Sequence, residues 1–124
     1  MEYKEKNTHQ SFKRFCKTLE LKNDAGLIEA YKKVHAEGAA WPEIIQGIQE
    51  VGIIDMEICI AGTRLFMIMD TVPDFDHEKA MVELALKPRQ KEWEAYVSKF
   101  QRSSADATAD EKWQMIERIF KLPG

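Results

Sequence analysis

Two apolar runs, residues 53–60 and 65–71, are joined through Ala61-Gly62-Thr63, and this pairing limits the possible folds more than any other stretch of the chain. Short, β-branched segments on either side of a glycine turn predict a β-hairpin. In strand geometry, successive side chains alternate between faces. That places Ile54, Met56, Ile58 and Ile60 together, and sets Leu65, Met67 and Met69 against Phe66 and Ile68. Both faces of the hairpin therefore carry apolar groups. One face fits beneath helices. The other needs cover of its own, and a sheet from a second copy is the economical supply.

The flanking segments supply the helices. Phe15, Leu19 and Leu21 alternate with Cys16, Thr18 and Glu20, which predicts a first strand over 13–22. Asn23-Asp24 offers a helix cap before Leu27, Ile28, Tyr31, Val34 and His35 at helical spacing. A second helix is expected over 42–51, opened by Pro42 and stopped by Gly52, with Ile44, Ile45, Ile48 and Val51 as its apolar stripe. Two more are expected over 76–86 and 89–100, separated by Pro88. A polar loop follows over 102–110, then a last strand over 115–122, although residues 113–116 also suit a helix. The order strand, helices, strand, strand, helices, strand is the split βαβ arrangement of a ferredoxin-like α+β fold. Its antiparallel sheet carries helices on one face and pairs with a second copy as a symmetric dimeric α+β barrel.

Composition removes several classes. The chain has 124 residues, 44% hydrophobic and 31% charged, which fits one globular domain. Residues 1–11 form a polar tail ahead of a single domain over 12–124. A net charge of −3 without a basic block speaks against nucleic acid. No apolar run reaches the ~18 residues that span a bilayer, and the charged N-terminus has no signal-peptide core. Cys16 and Cys59 lack metal-type spacing and suit cytoplasmic thiols. His9, His35 and His77 also lack metal-ligand spacing, and the chain has no phosphate-binding glycine loop.

Chemistry is concentrated in Tyr31-Lys-Lys-Val-His35 and in Trp41-Pro42-Glu43 after a five-residue break. On a helix, residues four apart lie about 40° apart around the axis and roughly 6 Å along it. A phenol and an imidazole then face one space, where they can hold a sugar-sized polyol and move its protons. Lys17 shares strand parity with Phe15, Leu19 and Leu21. A buried lysine is costly unless paired. The second sheet face is therefore expected to line a polar cavity, with Glu57 or Asp70 as partner to Lys17. Met56, Met67 and Met69 are expected to line the barrel as soft fillers, and Trp41 to anchor the helix break.

Together, Tyr31-x-x-x-His35, Trp41-Pro42-Glu43-Ile44, Val51-Gly52, Leu65-Phe66 and Phe120-Lys-Leu122-Pro123 resemble the L-rhamnose mutarotase family. The ordered set spans residues 13–123. The resemblance implies a dimeric ferredoxin-like barrel that interconverts the α and β anomers of a 6-deoxy-hexose pyranose. It implies that His35 is the proton donor and that Tyr31 contacts the sugar. Mutarotation moves one proton off the anomeric hydroxyl and another onto the ring oxygen, for which histidine is suited near neutral pH. The expected cofactors and metals are none.

The chain departs from the family pattern in three places. Met56 stands where a second sugar-contacting tyrosine is expected, Glu92-Trp93 stands for a Trp-Trp pair, and the His-to-Trp spacing is two residues longer. Trp93 is expected to pack on the sugar, with Met56 and Glu92 setting which sugar fits. L-fucose thus becomes a close rival to L-rhamnose. Two readings from other classes remain: a monooxygenase on the same barrel, which needs a largely apolar lumen, and a sugar-binding module without catalysis.

Overall fold

The computed structural model describes residues 2–3 and 11–124. The tail expected over 1–11 lies mostly outside the described residues, and His9 with it. Strand β1 (Lys13–Glu20) leads into α1 (Ala25–Val34) and α2 (Pro42–Glu50). The hairpin β2 (Ile53–Ala61) and β3 (Arg64–Thr71) follows, then α3 (His77–Ala85), α4 (Gln90–Ser98), the short α5 (Ala109–Lys112) and β4 (Gln114–Ile116). The strands form one sheet in the order β2-β3-β1-β4, every neighbour antiparallel. β3 lies between β1 and β2, which makes this the split βαβ expected from the sequence.

Local chemistry accounts for the boundaries. The Asp24 carboxylate accepts from the Leu27 amide at 2.9 Å and starts α1. Asp76 does the same for α3 through the Lys79 amide. Pro42 occupies the first turn of α2, where its missing amide hydrogen is not needed. Gly52 turns the chain from α2 into β2 with φ at 101°, and a Cβ there would lie 3.1 Å from Val72 Cγ2. Both the conformation and the close approach call for glycine. Gly62, with φ at 63°, forms the hairpin tip.

Register explains the core. Phe15, Lys17 and Leu19 stand opposite Met69, Met67 and Leu65, which stand in turn opposite Met56, Ile58 and Ile60 on β2. These positions all face the helices. All of them except Lys17 pack with Tyr31, Ile44, Leu84, Trp93, Val97 and Phe100 into one cluster. Each fully buried large apolar side chain there contributes about 1.5–3 kcal/mol. A bulge between Ile53 and Asp55 shifts the pairing, so Ile53, not Ile54, is the deeply buried residue at the start of β2.

Three expectations need correction. The polar loop over 102–110 ends in a helix start: Thr108 and Glu111 form a capping box for α5. Among the described residues, the last strand pairs only over Gln114–Ile116, with β1, and the chain beyond it makes no ladder. Lys17 points under the helices, whereas Glu57 and Asp70 lie on the opposite face, so neither is its partner. Its Nζ lies 3.8 Å from Met81 Sδ, and burial pushes its pKa down, with the Asp110 charge acting against that. The outer face carries Cys16, Phe66, Ile68 and Ile116, bordered by ion pairs Arg14–Asp70 at 2.7 Å and Arg64–Glu20 at 3.0 Å.

Candidate active site

Between the sheet and the helices α1, α2 and α4 lies a cavity of about 350 Å³. That volume falls within the range of small-molecule sites. β2 contributes Met56 and Ile58, α1 contributes Tyr31 and His35, and α4 contributes Gln90, Trp93 and Glu94. Tyr31 and His35 come together as their four-residue spacing predicts, with ring centroids 4.2 Å apart. His35 caps the C-terminus of α1.

One hydrogen bond defines the state of His35. Its Nδ1 lies 2.9 Å from the carbonyl oxygen of Tyr31. A carbonyl can only accept, so Nδ1 carries a hydrogen and the lone pair of the neutral ring sits on Nε2. Burial is the largest influence on the ring and pushes its pKa below the usual 6.5. The Tyr31 carbonyl and the charge of Glu94 pull the other way. The ring is thus held neutral near pH 7 with a basic nitrogen, the form needed to receive a proton. Burial also pushes the Tyr31 hydroxyl up to about 12, although a hydrogen bond with the Gln101 side chain opposes it. Tyr31 therefore stays protonated and serves as a hydrogen-bonding group.

Aromatic contacts set the position of these rings. Trp93 meets His35 edge-on at 5.4 Å, and Trp41 meets Trp93 at 5.1 Å while stacking on Tyr96 at 5.6 Å. The Arg89 guanidinium covers Trp41 at 4.1 Å from the ring centroid. Arg89 has φ at 62° and is the one non-glycine residue with positive φ among the described residues. Trp41 acts as the packing anchor after the helix break and is not part of the cavity wall.

The opposite wall is polar. Gln90 Nε2 donates to Glu94 Oε2 at 2.6 Å, and Lys112 Nζ donates to Glu94 Oε1 at 2.9 Å and to the Glu94 carbonyl at 2.6 Å. The Lys112 side chain is fully buried. Sequence reasoning missed this group. Its signal was present: Gln90, Glu94 and Ser98 recur at i, i+4 and i+8 along the same helix side as Trp93 and Val97.

The structure brings together His35, Tyr31, Met56 and Trp93 of the expected site residues. Glu92 does not join them. It is exposed, with its carboxylate 3.4 Å from Arg89, and does not line the cavity, because the helical phase turns it outward while presenting Trp93 and Glu94. Met67 lines the cavity as expected, but Met69 is packed in the core beside it. Among the described residues, no three His, Cys, Asp or Glu side chains are grouped to hold a metal ion.

Fold and cavity define a small ferredoxin-like α+β protein with a neutral histidine in a sugar-sized pocket. The L-rhamnose mutarotase family model matches residues 14–122, and the chain belongs to that family. It is 37% identical over 112 residues to the L-fucose mutarotase of Xanthomonas campestris pv. campestris, covering 90% of each chain. It is 32% identical over 115 residues to a UPF0734 protein of Dictyostelium discoideum, again covering 90% of each. The fold is similar to the crystal structure of L-rhamnose mutarotase from Formosa agariphila. There the TM-score is 0.67 at 20% identity, covering 90% of this chain and 99% of that one.

Proposed function

We propose that the chain interconverts the α and β anomers of a 6-deoxy-L-hexose pyranose, L-fucose or L-rhamnose, by acid/base ring opening. The observation that carries this reading is the 2.9 Å bond from His35 Nδ1 to the Tyr31 carbonyl, which leaves Nε2 as the base of a cavity of about 350 Å³. Nε2 takes the proton of the anomeric hydroxyl as the bond from the anomeric carbon to the ring oxygen breaks and the aldehyde forms. The ring oxygen takes up a proton, with imidazolium as the donor at hand. The aldehyde rotates, the ring recloses on its other face, and the proton returns. Electrons stay within the sugar, so the step calls for no cofactor. The Tyr31 hydroxyl orients the ring, Trp93 packs on its apolar face, and Met56 shapes the pocket where the sugar is selected.

L-fucose is favoured by the 37% identical relative named for it. Gln90 and Glu94 in the wall, with Lys112 buried behind them, suit a polyol better than the conjugated aromatic substrate of a monooxygenase. The outer sheet face, with Phe66 at 38% exposure beside Cys16, Ile68 and Ile116, is the surface on which a second copy would complete a symmetric dimer. Free Cys16 and Cys59 fit a cytoplasmic setting. Among the described residues, no helix is long and apolar enough to cross a membrane.

Saturation-transfer NMR on equilibrated L-fucose and L-rhamnose tests the activity. Transfer between α and β anomeric signals that appears only with protein supports it. No enhancement on either sugar by folded protein rejects it. Light scattering at micromolar concentration tests the dimer, which predicts twice the chain mass.

A further inference from the structure

The α4 wall of the cavity holds groups that the acid/base step does not use. Gln90, 3% exposed, points its amide nitrogen at Glu94 Oε2. A carboxylate accepts and does not donate, so this bond fixes the amide orientation and leaves Gln90 Oε1 as the free atom. That oxygen is buried and has no partner among the described residues. Glu94, 7% exposed, is fixed in turn by Lys112, whose Nζ reaches both its side chain and its carbonyl. The Ser98 hydroxyl donates to the same carbonyl at 2.6 Å. The result is a hydrogen-bonded pair of acceptor groups on residues that line the cavity. Its one cation is already engaged by Glu94.

A buried acceptor without a donor costs free energy, and such atoms are rare in folded proteins. Gln90 and Glu94 both line the cavity, and Gln90 Oε1 is closed to water, so a ligand hydroxyl supplies the missing donor as the side chain turns toward it. We propose that Gln90 and Glu94, clamped by Lys112, form a hydroxyl-reading subsite that accepts hydrogen bonds from two neighbouring ring hydroxyls and selects the sugar. The substrate class rests on the mutarotase reading of the same cavity. An acceptor pair of this kind favours neutral polyols and disfavours sugar acids and sugar phosphates, which bring further acceptors and negative charge. It is linked to the proton-handling group through Trp93, whose ring meets that of His35 edge-on at 5.4 Å. Trp93, between Gln90 and Glu94 in sequence, offers its ring to the apolar side of the same sugar.

The test compares anomer-exchange efficiency on L-fucose, its 2-, 3- and 4-deoxy analogues and a hexuronate, for wild-type protein and Gln90→Leu. The expected wild-type result is a loss of roughly ten- to a hundredfold for each of two adjacent positions, with the third position nearly neutral and the hexuronate poorly used. Gln90→Leu loses about tenfold on the parent sugar and abolishes one of the two deoxy penalties. Equal losses at all three positions, or the same pattern in both proteins, overturn the subsite. The wild-type panel decides without any variant if Gln90→Leu fails to fold, and Glu94→Gln/Lys112→Met then provides the comparison without an orphaned cation. If wild-type protein turns over no sugar, the mutarotase reading fails separately. Calorimetric binding of the same panel as methyl glycosides then decides: two adjacent hydroxyl penalties support the subsite, and a flat profile overturns it.

Discussion

Two of the helices that wall the cavity, α1 and α4, reach polarity by different means. α1 supplies two rings, and one of them is hydrogen-bonded by its own backbone: the Tyr31 carbonyl holds His35, with Trp93 packed edge-on against the ring. α4 supplies an amide and a carboxylate, and the carboxylate is held by Lys112, which arrives from α5, 18 residues further along the chain. A site built within one turn of helix tolerates change elsewhere. A site built across elements ties its chemistry to stability. The α1 wall is accordingly the place to lose activity without losing the fold, and the α4 wall the place to lose both.

Replacing His35 by Asn should give the largest functional effect, a fall of roughly 10²- to 10⁴-fold in anomer exchange. Because the ring is only partly buried, the melting temperature should move little. A large stability loss would show instead that α1 is as interlocked as α4. Glu94→Gln is expected to cost about 3–5 kcal/mol in chemical denaturation, because it leaves the Lys112 ammonium buried without its counter-charge. Adding Lys112→Met should recover most of that stability while the discrimination between sugars stays lost.

The pH dependence sharpens the contrast. Burial holds His35 below 6.5, so activity should rise with pH through an apparent pKa under 6.5 and level off toward neutrality. His77 is pushed the same way, by burial first and the Lys17 charge second. Below pH 6.5 the unfolded chain takes up protons that the folded chain resists. Stability linked to these two histidines is therefore complete above 6.5 and declines as pH falls through that value. An acid limb centred above 6.5 would contradict the assignment of a neutral, partly buried base.

Smaller effects follow from groups outside both walls. Lys17→Met should raise stability by about 1 kcal/mol in a denaturant titration, since it removes a buried amine whose hydrogen bond goes to the Met81 sulfur at 3.8 Å. Glu92→Gln should change stability by less than about 0.5 kcal/mol and leave exchange on both sugars nearly as in wild type. A marked change of sugar preference in Glu92→Gln would move the selecting carboxylate from Glu94 back to the outward face of α4.

Much of the fold was legible because local signals agreed. Asp24 and Pro42 mark helix starts, Gly62 marks the hairpin, and the alternation from Met56 to Thr71 sorts the hairpin residues into two faces. The Tyr31–His35 pair was legible for the same reason, since a four-residue spacing carries its own geometry. The Glu94–Lys112 pair was not, because its partners are far apart in sequence and single charged residues on a helix ordinarily face solvent. Glu92 and Glu94 are both glutamates within one turn of α4. Only packing shows which one faces the cavity. Lys17 was placed on the correct parity but given partners on the wrong face, because parity says which residues share a side and not which side carries the helices.

The central claim is that His35, neutral and basic at Nε2, turns over the sugar. Its most direct test is saturation transfer between the anomeric signals of L-fucose, measured side by side for wild type and His35→Asn at matched folded concentration. Protein-dependent transfer in wild type that falls by at least two orders of magnitude in the variant is the predicted result. Equal transfer in the two proteins would contradict the account.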